Sequence, residues 1–269
     1  MEGNSKIDIQ HPEAWELLVS IEDRQVSYIL FTPHVANSLI MGHVERTDET
    51  LRALEDVIYD TPELLNEYKR IRVVVNSRHF ILLPEDTSDD DCMALVRHAF
   101  PGDDGDAAVS HMPHNGVKIA YLLPHGLQAF LGRTFNYPSV CHRLVPVVEH
   151  CKESSEGTDG SQMFLNMLPD AMDAVAYRDG KIQCVNTFSF SNVQDAVYYA
   201  LNVWRTHGMD QLHDRLQLMG DDAMRAEMTP ELREFVKNVM PAEFPAAAMR
   251  LGRNALQAPL ELILLALCE

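Results

Sequence analysis

Basic residues are scarce in this sequence. Its 22 Lys and Arg stand against 40 Asp and Glu, which leaves a formal net charge of −18. Phosphate backbones and anionic membrane surfaces attract proteins through a surplus of Lys and Arg, and no run of basic residues offers a local exception. We therefore expect no nucleic acid among the partners of this protein.

Cysteine pairs and long apolar runs are also missing. The five cysteines are scattered without C-x-x-C spacing, which is typical of reduced thiols in a cytoplasmic protein. The first residues hold no apolar segment of the signal-peptide type, and the longest apolar run, residues 260–268, is far shorter than the ~20 residues that cross a bilayer. We predict a cytoplasmic protein without membrane insertion.

What the sequence does contain is a pattern of strands and a helix that occurs twice. Three strands, a helix for which Asp48 is the expected cap, and a buried fourth strand at 70–76 make up the first copy. After a polar stretch, three more strands end at Phe190, Asn192 caps a helix, and a strand follows at 215–220. This order predicts an α/β protein with a duplicated actin-like (ribonuclease H-like) fold, each half a mixed sheet flanked by helices.

The pattern also divides the chain into regions. We assign residues 1–151 to the first half, 152–160 to a linker rich in Gly and Ser, and 161–269 to the second half. The first half is longer because it carries an extra subdomain, an inserted strand-helix-strand unit at about 79–135.

Four sequence blocks resemble one family. The run NTFSFSNVQDAVYYAL at 186–201 is similar to the N-[ST]-F-x-F…D-x-x-Y-Y signature of a bacterial domain-of-unknown-function family, family 3822. Blocks at 73–86, 133–149 and 215–221 are similar to its other conserved stretches, in the same order. The resemblance implies an actin-like ATPase fold, distantly similar to pilus-assembly ATPases, and it implies no particular activity.

The nucleotide motifs of actin-like ATPases are eroded in this sequence. Such proteins hold phosphates on a turn after the first strand of each half, where Gly lets backbone amides approach and an Asp organises Mg²⁺. Here the turns at 20–24 and 166–170 contain no Gly. Asn166 stands where a carboxylate is expected, and Pro169 lacks an amide donor.

The candidate nucleotide-binding residues are correspondingly few. The adenosine-side turn, normally a Gly-Gly pair, is reduced to residues 219–221. If ATP with Mg²⁺ binds at all, Asp23, Asp170, Gly220 and Asp221 are the residues expected to contact it. We assign no catalytic residue.

Asn186 interrupts the apolar face of the strand that holds Cys184 and Phe188. One interpretation is a cleft-facing amide that binds a ligand or a partner's backbone. The favoured alternative is a buried amide that fixes strand register, since buried polar groups are usually satisfied within the structure. In neither case is Asn186 an acid or a base.

Histidine and cysteine do not form a metal motif. His111 and His114, the Cys141-His142 pair and the His150-Cys151 pair lack the spacing of structural zinc ligands, and no nucleophile elbow or phosphate loop is present. We expect no metal site.

The sequence therefore predicts a non-catalytic binding or scaffold protein with degenerate nucleotide motifs. The alternative is a divergent, Mg²⁺-dependent nucleotide-binding ATPase. The terminal helix near residues 260–267 is apolar almost all round, which is compatible with a protein partner or a homodimer and equally with burial inside the chain. Such a helix must be covered by the first half, the second half, a second copy or another protein.

Overall fold

The structure is a computed structural model that describes residues 9–268. The chain divides into two compact units. The first contains the described residues up to His111, Lys118–Pro146 and those from Pro245 onward, and the second contains Met112–Val117 and Val147–Phe244. Each unit contains a five-stranded mixed sheet, which confirms the predicted duplication.

The first sheet has the order β3-β2-β1-β4-β8. Its strands pair antiparallel from β1 to β3 and parallel from β1 through β4 to β8. Every residue of β1 is buried, because helices cover both faces of the sheet. The five strands are β1 (Glu16–Ile21), β2 (Gln25–Phe31), β3 (Ile40–Glu45), β4 (Arg70–Val75) and β8 (Ser139–His142).

One face of this sheet packs against helices α1 (Leu51–Tyr59) and α3 (Leu127–Thr134). The cap of α1 is Thr50, whose side chain accepts a hydrogen bond from the Ala53 amide, so the assignment of this cap to Asp48 was wrong. Asp48 instead accepts hydrogen bonds from the amide and the hydroxyl of Thr50, and so orders the residue that caps the helix.

The inserted region forms a third sheet with the order β5-β7-β6. Three strands are present where the sequence predicted two. The missed strand is β6, whose sequence DAAVSHM has small and polar residues instead of a continuous apolar run. The elements of this region are β5 (Phe80–Pro84), α2 (Asp89–Ala99), β6 (Asp106–Met112) and β7 (Val117–Leu123).

The second five-stranded sheet repeats the plan of the first, with the order β11-β10-β9-β12-β13. Asn192 caps α5 as predicted, and Asp179 and Gly180 both have positive φ in the predicted hairpin turn. Its strands are β9 (Ser161–Met167), β10 (Ala171–Arg178), β11 (Lys181–Ser189), β12 (Arg215–Gly220) and β13 (Asn238–Pro241). Its helices are α4 (Leu144–Ser155), α5 (Val193–Thr206) and α6 (Asp222–Arg233).

The terminal helix α7 (Leu260–Leu267) packs against the first sheet, contacting β1. Its apolar side chains form one core with Leu18 and Val74, on the sheet face opposite α1. The compact units therefore differ from the sequence-based boundaries, which placed 161–269 in one half. No helix of the described chain is long and apolar enough to cross a membrane.

Candidate functional site

The first predicted phosphate turn joins β1 to β2 and holds Asp23. The Glu22 amide donates to the Gln25 carbonyl (2.9 Å), which closes the turn. Two cations that the sequence did not assign to this turn lie beside it. Arg46 donates to the Glu22 carbonyl (2.6 Å), and Arg78 lies 3.5 Å from the Asp23 carboxylate. Burial is the main reason that the pKa of Arg46 is lowered from its usual value.

A third arginine lies at the carboxyl edge of the same sheet. The Asn76 amide donates to the Ile21 carbonyl and the Arg143 amide to the Val75 carbonyl, both at 3.0 Å, which brings the ends of β1, β4 and β8 together. Arg143 is 4% exposed, and its Nε donates to Asn76 Oδ1 (2.7 Å). The available sequence signal was its position directly after a parallel strand, the edge where α/β sheets bind ligands.

The second predicted phosphate turn joins β9 to β10. The Leu168 amide donates to the Ala171 carbonyl (2.9 Å), and the Asp170 carbonyl accepts from the Phe190 amide (3.1 Å). Asp170 itself is exposed. Since Pro169 has no amide hydrogen and the Leu168 amide is already bonded, this turn offers a phosphate little of the backbone cradle it needs.

Gly220 and Asp221 join β12 to α6. Gly220 has φ 85°, and a Cβ atom here would lie 2.2 Å from the Met167 carbonyl oxygen. The Asp221 amide donates to that same oxygen (2.8 Å), while the Asp221 carboxylate caps α6 by accepting from the Met224 amide (2.8 Å). These contacts give both residues a structural role that involves no ligand.

A buried carboxylate lies next to this turn, where the sequence indicated only an amide. Asp173 is fully buried and accepts from Asn166 Nδ2 (2.9 Å) and Thr187 Oγ1 (2.7 Å). Asn166 Oδ1 is also buried, without a hydrogen-bond donor among the described residues, and lies 2.6 Å from where a Cβ of residue 220 would stand. An Asp inside the apolar strand MDAVAY was the signal that sequence reasoning passed over.

Asn186 is exposed on β11, the outermost strand of its sheet. The favoured prediction of a buried amide was therefore wrong: at this edge of the sheet the Asn186 side chain reaches solvent. Its Oδ1 accepts a hydrogen bond from the amide of Thr187 (2.9 Å). The side chain thus satisfies a backbone donor of its own strand.

The two histidines of the HMPH stretch pair with carboxylates and not with one another. His111 bonds Glu85 (3.0 Å) and lies 3.4 Å from Asp89, while His114 bonds Glu149 (2.6 Å). The Glu85 hydrogen bond is the main cause of a raised pKa at His111. Within residues 9–268, no group of three His, Cys, Asp or Glu side chains is arranged to hold a metal.

The cysteine beside His142 is not an activated nucleophile. Burial raises the pKa of the Cys141 thiol to about 12. The neighbouring His142 is fully buried, and its Nε2 bonds the Ser77 carbonyl (2.9 Å). A thiol that stays protonated at neutral pH is a poor nucleophile and a poor metal ligand.

A surface cavity of about 210 Å³ lies between the inserted sheet and the first five-stranded sheet, which we call the edge groove. Its walls include β6 and β8, each the outermost strand of its own sheet. The His142 amide donates to Ser110 Oγ (3.2 Å), which ties the two strands together at one point. The groove is lined by Asp89, Ala108, Val109, Tyr121, Gln128 and Val140, among others.

Comparisons with known proteins agree with this architecture. A family model described as "Protein of unknown function (DUF3822)" matches residues 4–239. None of the curated proteins matches the sequence.

Two solved structures are similar over nearly the whole chain. One is a Bacteroides thetaiotaomicron protein with an actin-like ATPase fold and unknown function (TM-score 0.80, 20% identity, 98% of this chain and 99% of that chain). The other is the PilM-PilN type IV pilus biogenesis complex (TM-score 0.54, 13% identity, 95% of this chain and 98% of that chain). At these identities the similarity establishes the fold alone.

Proposed function

The chain belongs to the DUF3822 family and has an actin-like ATPase fold, and from that premise we propose that it is a non-catalytic, protein-binding scaffold. The observation that carries the proposal is the edge groove, where two sheet edges line one cavity. Unpaired strand edges present backbone donors and acceptors that a segment of another chain can extend.

The size and lining of the groove favour a peptide segment over a small cofactor. Its volume of about 210 Å³ is below the ~300–1,000 Å³ of most small-molecule sites. Val109 and Val140 supply apolar wall, and no other strand of the described chain pairs with the outer edge of β6 or β8. A strand added there gains main-chain hydrogen bonds and places one side chain in the cavity.

The two phosphate turns argue against catalysis. The amides of Glu22 and Leu168 are bonded within their own turns, and Pro169 has no amide to offer. Gly220 and Asp221 approach the Met167 carbonyl at the end of β9, and the Asp221 carboxylate caps α6. An ATPase needs donors preorganised around the phosphates, and these turns supply few.

A structural relative supports the same class of partner. The PilM structure is that of a complex with PilN, so an actin-like fold of this kind is compatible with binding another protein. For this chain the proposal rests on its own groove, because a sequence identity of 13% does not show that the two proteins share a binding site.

The test is a random 12-residue peptide library displayed on phage and selected on the full chain. We expect peptides that bind the wild type and lose binding at least ~10-fold to Ala108→Leu, whose larger side chain occupies the groove. The exposed Ala94→Leu is the matched control and should bind normally. Selected peptides that bind Ala108→Leu equally well, or no selection at all, would overturn the proposal. Near-UV circular dichroism confirms that each variant is folded.

A second function, divergent Mg²⁺-dependent binding of ATP, is favoured by one observation. Arg46, Arg78 and Arg143 all lie at the carboxyl edge of the first sheet, where they can offset the charge of Glu22 and Asp23. Arginine is well suited to phosphate because its planar guanidinium donates in pairs.

Calorimetry with ATP, with and without Mg²⁺, decides between the two functions. The scaffold proposal expects no heat of binding at millimolar ATP. Micromolar, Mg²⁺-dependent binding accompanied by hydrolysis that Asp170→Ala abolishes would establish the ATPase instead. Arg143→Gln should then weaken ATP binding, whereas the exposed Arg52→Gln should not.

A further inference from the structure

We infer that the edge groove receives an extended partner segment in which one large apolar side chain is flanked by Lys or Arg. This inference rests on the proposed function and adds the chemical class of the partner. It is carried by the charge of the inserted region together with the shape and lining of the groove.

The inserted region is about twice as acidic per residue as the chain as a whole, with a net charge of −6 over 44 residues against −18 over 269. Residues 80–123 contain eight carboxylates, and their bases are only Arg97 and Lys118. Lys118 is already engaged, since its Nζ donates to Asp89 (2.9 Å) and to the Thr87 carbonyl (2.8 Å). The carboxylates are Glu85, Asp86, Asp89, Asp90, Asp91, Asp103, Asp104 and Asp106.

Several of these carboxylates remain available to a partner. Asp86, Asp90 and Asp104 are exposed, and within residues 9–268 their carboxylates make no hydrogen bond or ion pair. They belong to the same inserted region as the groove-lining Asp89. Like charges clustered at a binding surface favour partners of the opposite sign and repel those of the same sign.

The size and lining of the edge groove determine which kind of side chain the central residue of the segment can have. An apolar cavity of ~150 Å³ is enough to hold benzene, so about 210 Å³ accommodates one large aliphatic or aromatic side chain. Met93, Leu123 and Val140 give it apolar walls, and Tyr121 is buried beneath it. An acidic residue at this position would lose hydration and face the Asp89 carboxylate, which also lines the groove.

A second copy of this chain is a poor occupant by the same reasoning. Two chains that each carry a formal charge of −18 repel one another, and the inserted region adds the densest part of that charge at the contact. A positively charged segment avoids this repulsion and is attracted by the carboxylates of the inserted region.

The experiment measures binding of the selected peptides to two charge variants by fluorescence anisotropy. Asp86→Lys/Asp90→Lys/Asp104→Lys reverses the exposed carboxylates of the inserted region. Glu227→Lys/Glu231→Lys/Glu234→Lys makes the same change in net charge on two exposed positions of α6 and on its exposed C-cap residue. We expect binding to weaken at least ~10-fold in the first variant and less than ~3-fold in the second.

The outcomes separate this inference from the proposed function. Peptides that lose binding to Ala108→Leu but bind both charge variants equally, or that are acidic, would overturn the basic partner and leave the scaffold standing. The absence of any groove-dependent peptide would overturn both. Asp90→Lys places a positive charge in the first turn of α2, where it is unfavourable for the helix. The variant Asp86→Asn/Asp90→Asn/Asp104→Asn removes the same carboxylates without adding that charge and provides a second test, with an expected loss of binding of at least ~3-fold.

Discussion

At the scale of single residues, Gly220 is where the backbone leaves least room. Its φ of 85° disfavours any residue with a Cβ, and the Met167 carbonyl oxygen would lie only 2.2 Å from that atom. We expect Gly220→Ala to lower the free energy of unfolding by at least about 3 kcal/mol, from strain in the left-handed region and the backbone clash. Urea denaturation measures it. Gly102→Ala, with open space around it, should change stability by less than about 1 kcal/mol.

Tyr177 contributes a second residue-scale prediction. Its buried hydroxyl donates to Asn115 Oδ1 (2.7 Å) or the Val148 carbonyl (3.0 Å), and burial raises its pKa. Tyr177→Phe removes a donor from the buried Val148 carbonyl and the partly buried Asn115 amide, so we expect a loss of about 1–3 kcal/mol in denaturant titrations. Tyr198→Phe is the matched control at a residue that is 64% exposed, and a comparable loss there would contradict the argument.

At the scale of elements, His111 links β6 to the start of α2. Its hydrogen bond to Glu85 is the main cause of a raised pKa, and the hydrogen bond to Asp89 adds to it. The folded protein therefore binds the imidazole proton more tightly than the unfolded chain does. The resulting stabilisation is complete below the unfolded pKa of ~6.5 and is lost as pH rises through the higher folded value.

We therefore expect wild type and His111→Gln to differ in melting temperature near pH 5.5 and to converge toward pH 8. Proton NMR titration of the imidazole gives the pKa directly. Glu85→Gln should lower it toward the ordinary value, and an unchanged titration in that variant would refute the assignment.

Helix α7 is held to the first sheet by a buried cation. Arg72 Nη1 donates to the carbonyls of Leu265 (2.6 Å) and Cys268 (2.8 Å) at the helix end. Its Nη2 lies 3.3 Å from the Glu16 carboxylate. Positive charge at a helix C-terminus is favourable, and Glu16 is only 4% exposed.

Arg72→Met should cost about 3 kcal/mol, since it leaves the Glu16 carboxylate without its nearest cation. Adding Glu16→Gln should recover part of that loss. A double-mutant cycle by urea denaturation should give a coupling energy above about 1 kcal/mol, and strict additivity would mean that the pair does not act together.

At the scale of the whole molecule, the apolar α7 is explained by burial on the first sheet. Leu262 and Ile263 are fully buried there. Leu262→Glu should therefore lower the free energy of unfolding by about 4 kcal/mol or more. Light scattering should detect no change in the mass of the folded fraction. Leu256→Glu, at 58% exposure, is the control; a stable variant of changed mass would identify α7 as an interface.

The repeated plan of three strands, a helix and a fourth strand follows from the amino-acid sequence alone. Strongly apolar strands such as β2, the Asp179-Gly180 turn and the Asn192 cap are local signals, because each depends on residues a few positions apart. The loss of glycine from the two phosphate turns is also a local feature, because it is visible in five consecutive residues of each turn. The seven-residue β6 escaped prediction because its residues are small or polar.

Which distant residues meet becomes visible only in the folded protein. Arg143 is bonded to Asn76, 67 positions away in the chain, and α7 rests on β1, more than 200 positions away. Asn186 was misjudged because exposure depends on strand order, and β11 lies at an edge that the pattern of one strand does not reveal. The edge groove likewise exists only where β6 and β8 converge. Such contacts are set by the packing of whole sheets, and packing leaves no short-range mark in the sequence.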